Sequence, residues 1–287
     1  MLYSILLWLS RAISALPLTT IRAIGRGVAN ILYPFAKRER RIVEAHQRYL
    51  PELAITHRAV SEQLGQALLE QAPLTHWEVD KILNSINIDQ THHRILTEAI
   101  NQQHGVLMLM PHLGCWEWMG PYLGTHFGVT AMVKPVRNAS LNRLIKRQRE
   151  RFGTHTVPTD LNGVKQLIRG LKQGGIVNMM PDQTPHPESA HQVSFLGKPC
   201  ICISLPARLI KATQCQVLVG IALRTPTGVT LEFTPCPAEH WRTLDDNAIT
   251  ENINQIIGEK ITQHADQYIW NYRRFRNNGE PVYGERT

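Results

Sequence analysis

A histidine and a glutamate stand five positions apart in the stretch Val106-Leu107-Met108-Leu109-Met110-Pro111-His112-Leu113-Gly114-Cys115-Trp116-Glu117-Trp118. An imidazole can take and return a proton near neutral pH, and a carboxylate beside it fixes the tautomer and steadies the imidazolium. On one continuous helix five steps turn through about 500°, which leaves His112 and Glu117 roughly 140° apart. They converge if His112 lies on a turn and Glu117 lies in the first turn of the next helix. Gly114 gives that turn its backbone freedom. A lone histidine among apolar residues is commonly a packed structural residue, so the surrounding elements must decide its role.

Val106 to Met110 is an unbroken apolar run that reads as a strand buried on both faces, the kind found inside a parallel sheet. Pro111 stops it, having no amide proton to give to a ladder. A strand end leading into a helix is where open α/β sheets bind their ligands. Further strands are expected at Val129 to Val136 and Ile176 to Met180, with a hairpin-like pair at Val217 to Arg224 and Gly228 to Thr234. Helices are expected at Thr91 to Gln103, Leu141 to Arg151, Val164 to Lys172, Leu205 to Ala212 and Asp246 to His264, with Asn138 and Asp160 as N-caps. This alternation predicts an α/β fold with a mostly parallel central sheet flanked by helices, in a single domain over residues 36–287.

The first 35 residues differ from the rest. Met1 to Leu18 is apolar but interrupted by Ser4, Ser10, Arg11 and Ser14, with no positive charge ahead of it to make a secretory signal. As a helix it extends about 27 Å, long enough for a short span, although Arg11 inside it opposes insertion. Ser4, Arg11 and Ser14 fall opposite Leu2, Leu6, Leu9, Ile13 and Leu16, which suits a helix lying in a membrane interface. Residues 1–35 are therefore expected to associate with a membrane. The following Lys37-Arg38-Glu39-Arg40-Arg41 and a net charge of +8, from 31 Lys+Arg against 23 Asp+Glu, favour anionic partners. No nucleic-acid motif accompanies that charge, and the basic helix Leu141 to Arg151 carries no interleaved aromatics, so nucleic acid is not expected as a partner. Five cysteines without a C-x-x-C pair read as reduced, small apolar residues. There is no G-x-S-x-G elbow and no H-E-x-x-H; His186 and His191 lack ligand spacing, so no catalytic metal is expected.

His112-Leu-Gly-Cys-Trp-Glu117 resembles the His-x4-Asp/Glu signature of the acyltransferases that act on glycerol phosphate or lipid A precursors. Four more blocks follow in order: Arg149 within Arg147-Gln-Arg-Glu-Arg151, Met180-Pro-Asp182-Gln183, Phe195-Leu-Gly197-Lys-Pro199, and Tyr268-Ile-Trp270-x-x-Arg273-Arg274-Phe275. Together they resemble the secondary (lauroyl/myristoyl) acyltransferases of lipid A biosynthesis, within the lysophospholipid acyltransferase superfamily. Cys115, and Lys134-Pro135, depart modestly from the usual pattern.

The resemblance implies a glycerol-phosphate-acyltransferase-like fold and transfer of an acyl group from an acyl carrier protein thioester to a hydroxyl of a Kdo2-lipid IVA type precursor. It implies no cofactor, and places the protein at the cytoplasmic face of the bacterial inner membrane. His112 would be the base, with Glu117 accepting from its other ring nitrogen. Arg149 would meet the oxyanion or an acceptor phosphate, with amides near Gly114 as co-donors. Asp182 would fix Arg149 or an acceptor hydroxyl, or cap a strand-end turn. Phe195, Gly197 and Pro199 would shape the acyl groove or serve structure. On the basic helix, Arg149 is expected to point into the cleft, and Arg147 and Arg151 towards solvent, membrane or carrier. A lysophospholipid or other glycolipid acyltransferase is the alternative within the superfamily. A catalytically inactive membrane-binding scaffold is the alternative outside it.

Overall fold

The structure, a computed structural model, describes residues 2–133, 138–185, 190–276 and 278–284. Lys134, Pro135, His186 and the far end of the strand expected to reach Val136 lie outside the described residues. Nine strands are described: β1 (Ile86–Asn87), β2 (Val106–Leu109), β3 (Val129–Met132), β4 (Thr154–Val157), β5 (Ile176–Met179), β6 (Ala190–Phe195), β7 (Lys198–Ile203), β8 (Gln216–Arg224) and β9 (Val229–Cys236). Seven form one sheet in the order β1-β9-β8-β2-β5-β3-β4, and β6 and β7 form a separate antiparallel hairpin. Within the large sheet only β8 and β9 pair antiparallel. The mostly parallel sheet read from the strand–helix alternation is thus present.

Every residue of β2 is buried, and successive side chains enter two different cores, as a doubly covered strand requires. Leu107 and Leu109 join a core shared with Val177, Met179, Val217, Val219 and the helix Asp246–Gln263. Val106, Met108 and Met110 face the opposite core with Ile176, Leu218, Trp118 and the helices Gln90–Asn101 and Met119–Phe127. Asp160 caps the helix Leu161–Lys172, accepting from Gly163 N at 2.8 Å. The segment Thr154–Val157, which has no long apolar run to mark it, forms an edge strand where no element was expected.

At the N-terminus two helices, Leu2–Ser14 and Leu18–Leu32, pack onto this domain. Trp77 Nε1 donates to Ser14 O at 2.6 Å, and Ser10 Oγ lies 2.7 Å from His76 Nε2. The second helix crosses His57–Leu69 so closely that a Cβ on Gly65 would lie 2.1 Å from Gly25 O. Its Ile21 and Arg22 are buried, whereas Ile24, Val28, Ile31 and Leu32 are exposed. Among the described residues no helix is long and apolar enough to cross a membrane.

Candidate active site

The site is built by two parallel strands that end alike. β2 runs out as Leu109-Met110-Pro111-His112 and β5 as Met179-Met180-Pro181-Asp182. Leu109 and Met179 are register partners, so His112 and Asp182 sit three residues beyond the same rung. Met110 N still donates to Met179 O at 2.8 Å, and then the prolines end the ladder. The two chain ends meet side by side. Asp182 accepts from the His112 amide through Oδ2 and bonds His112 Nδ1 through Oδ1, both at 2.8 Å.

Asp182, not Glu117, is therefore the carboxylate that orients His112. An ionised carboxylate only accepts, so the Nδ1 proton stays on the side of Asp182 and Nε2 carries the lone pair. Asp182 is buried, which opposes its charge, but the His112 charge and the two hydrogen bonds from His112 outweigh this and hold its carboxyl below the usual aspartate range. Gln183 Nε2 lies 3.1 Å from His112 Nε2, on the side where the lone pair points. Trp116 packs edge-on against the imidazole, with ring centroids 5.1 Å apart.

Glu117 does follow the turn in a short 3-10 segment, Trp116–Trp118, but its carboxylate turns to Arg149. Arg149 Nη2 donates to Glu117 Oε1 at 2.7 Å, and Nε reaches Oε2 at 3.4 Å. The basic helix Ala139–Glu150 supplies this arginine and Gln148 to the site. His112, Glu117, Arg149 and Gln183 all line one cavity of about 340 Å³. Beyond these polar groups its wall is largely apolar, including Met110, Leu123, Val129, Met132, Phe152 and Met179.

Gly114 serves geometry rather than donation. Its φ is +65°, a Cβ there would lie 2.0 Å from Ala222 O, and its amide is committed to Gln267 O at 2.9 Å. It is not available as the oxyanion donor expected from the sequence. Phe195, Gly197 and Pro199 do not line the cavity. Phe195 is buried against Phe275 and Arg274, while Gly197 takes a φ of +71° in the β6–β7 turn, so these residues shape the hairpin. Arg151 was expected on an outward face. It is exposed, and from there it donates to the carbonyls of Leu74, Thr75 and Trp77, holding the end of the helix Gln71–His76.

Residues 1–277 match the family model described as bacterial lipid A biosynthesis acyltransferase. The chain belongs to this family. Among its relatives, a lipid A biosynthesis acyltransferase of Haemophilus influenzae is 25% identical over 287 residues, covering 94% of this chain and 90% of that protein. The lipid A biosynthesis lauroyltransferase of Escherichia coli is 24% identical over 284 residues, 96% and 90% of the two chains. The palmitoleoyltransferase of the same organism is 23% identical over 270 residues, 91% and 86%. The protein is an acyltransferase of lipid A biosynthesis, and the cavity beside His112 is its candidate active site.

Proposed function

We propose that this acyltransferase takes a fatty acyl group from an acyl carrier protein thioester and places it on a hydroxyl of a Kdo2-lipid IVA type precursor, with His112 as the general base. The observation that carries this reading is the placement of His112: Nδ1 is fixed by Asp182, and Nε2 faces a cavity with a polar mouth and an apolar wall. Such a wall suits an acyl chain, and a hydroxyl docked at the mouth in place of the Gln183 amide would lie within reach of Nε2.

In this mechanism Nε2 removes the hydroxyl proton as the oxygen attacks the thioester carbonyl. Asp182 stabilises the imidazolium that forms. The tetrahedral intermediate carries a negative oxygen, for which Arg149, a charged donor lining the cavity, is the partner. Collapse breaks the C–S bond, and the imidazolium returns its proton to the leaving thiolate. Glu117 holds the Arg149 guanidinium in place and limits its charge until the intermediate forms.

The acceptor lipid lies in a membrane, and the apolar face of the N-terminal helices suits a position on the cytoplasmic leaflet of the inner membrane. Trp8, Ile31, Leu32 and Phe35 are more than half exposed there, beside the basic run that begins at Lys37. Mass spectrometry of lipid A from a strain lacking the gene tests the assignment. One secondary acyl chain should be missing, and unchanged lipid A would overturn the acceptor.

A further inference from the structure

Arg274 is 1% exposed, yet among the described residues no carboxylate comes within 4.0 Å of its guanidinium. Asp182 acts on Arg274 only through space: its oxygens bond His112, and neither lies within 4.0 Å of the guanidinium, so the group in direct contact must be sought elsewhere. Arg274 Nη1 donates to Ile201 O at 2.8 Å, the guanidinium stacks over the Phe195 ring at 4.5 Å, and Nε has no partner. Its remaining contact is unusual: Nη2 lies 2.9 Å from Cys202 Sγ. A buried cation with no anion in direct contact is costly, so a contacting anion should be sought among its neighbours.

Cys202 meets the requirement. Asn254 Nδ2 also points at Cys202 Sγ, at 3.1 Å. The same nitrogen donates to Ser194 O at 2.7 Å, which fixes the amide as the donor on that side. Two N–H donors, one of them cationic, therefore converge on a sulfur that is 1% exposed. A neutral thiol accepts weakly and would need somewhere to place its own proton. The carbonyl it could use, Cys200 O, is 3.8 Å away. Cys200, by contrast, has an acceptor for its thiol in Arg274 O at 3.4 Å.

We propose that Cys202 is a thiolate in the folded protein, paired with Arg274, and that this pair positions the strand end carrying Asp182. The link is direct: Thr184 Oγ1 donates to Arg274 O at 3.2 Å, and Thr184 N donates to Tyr272 Oη at 3.0 Å. Arg274 thus supports the Asp182-Gln183-Thr184 turn from behind while its charge is answered by Cys202. The ionisable groups around the sulfur are Cys200 on its own strand, His191 opposite it on β6, Arg274 and Tyr283 of the C-terminal segment, and Tyr268 and Asp182 beyond; the helix Asp246–Gln263 contributes Asn254. The balance of these groups agrees with the geometry. The Cys200 contact first, then Arg274 and Asn254, outweigh burial and bring the Cys202 thiol down from its ordinary range. Burial pushes Cys200 up, so it keeps its proton.

The inference rests on the acyl-transfer reading only for what the pair does, so its test is spectroscopic. Thiolates absorb near 240 nm. Titrating the folded wild-type protein from pH 5 to 8 should show one thiolate appearing with a midpoint well below the ~8.5 of an unperturbed thiol. The step should vanish in Cys202→Ser and in urea-unfolded wild type, and the unfolded comparison holds even if the variant folds poorly. Cys202→Asp, which restores an anion, should recover more of the wild-type melting temperature and turnover than Cys202→Ser. Absence of the step in the folded wild type, or its persistence in Cys202→Ser, overturns the proposal. Equal behaviour of the Asp and Ser variants overturns the positioning role.

Discussion

Which carboxylate serves His112 decides the chemistry at the level of single residues. The glutamate five positions on is close in sequence, but the aspartate seventy positions on is bonded to the ring. Asp182→Asn should therefore lower kcat by roughly 10⁴, as loss of the tautomer-fixing carboxylate does in a Ser-His-Asp triad. Glu117→Gln should cost less, because it leaves the imidazole oriented and loosens only Arg149. Steady-state transfer assays on the two variants rank them, and a larger loss for Glu117→Gln would restore the sequence-based pairing. Arg149→Ala should cost about 2.7–4 kcal/mol of transition-state stabilisation, seen mainly in kcat. The Asp182 partnership was present in the sequence as a repeated Met-Pro ending on two strands. Nothing in it said that those strands are neighbours in register, because pairing between distant segments leaves no local signature.

Elements explain why neighbouring arginines differ. The helix Ala139–Glu150 delivers Arg149 to the cavity, and the residue past its end, Arg151, binds three carbonyls at the end of another helix. Arg151→Ala should lower unfolding free energy by about 1.5–3 kcal/mol, the range for hydrogen bonds to a charged group, with kcat largely retained in the folded fraction. Denaturant titration beside a transfer assay separates the two effects, and a loss of kcat without loss of stability would return Arg151 to substrate binding. The helical wheel correctly turned Arg149 away from Arg151 but could not say what the far side meets, since the helix Gln71–His76 arrives from a remote part of the chain. Elements marked by an unbroken apolar run or a cap, such as β2, β8 and the helix after Asp160, were legible in sequence. The strands Ile86–Asn87 and Thr154–Val157 were not, because neither lies in an unbroken apolar run.

Across the whole molecule, His46 ties the helix Lys37–Tyr49 to the C-terminal segment. Its Nδ1 bonds Trp270 O at 2.9 Å and its Nε2 lies 2.7 Å from Tyr283 Oη. Burial lowers its pKa to about 4, against the hydrogen bond that Nδ1 gives to Trp270 O, which raises it. The unfolded chain takes up this proton near 6.5, so His46 contributes stability above that pH and loses it as pH falls towards 4, on the order of 3 kcal/mol in all. Asp182, held low, adds a further loss below the ordinary carboxylate range. Wild type should thus begin to lose stability from about pH 6.5 downward, and His46→Gln should flatten that slope; an unchanged slope would place the acid sensitivity elsewhere.

The most direct measurement is acyl transfer by the purified full chain in detergent or vesicles, with an acyl carrier protein thioester and Kdo2-lipid IVA, followed by mass spectrometry of the lipid. Wild type should add one acyl chain's mass to the precursor, and His112→Ala, folded by circular dichroism, should add none above background. Near-normal transfer by His112→Ala would contradict the role of His112 as the base.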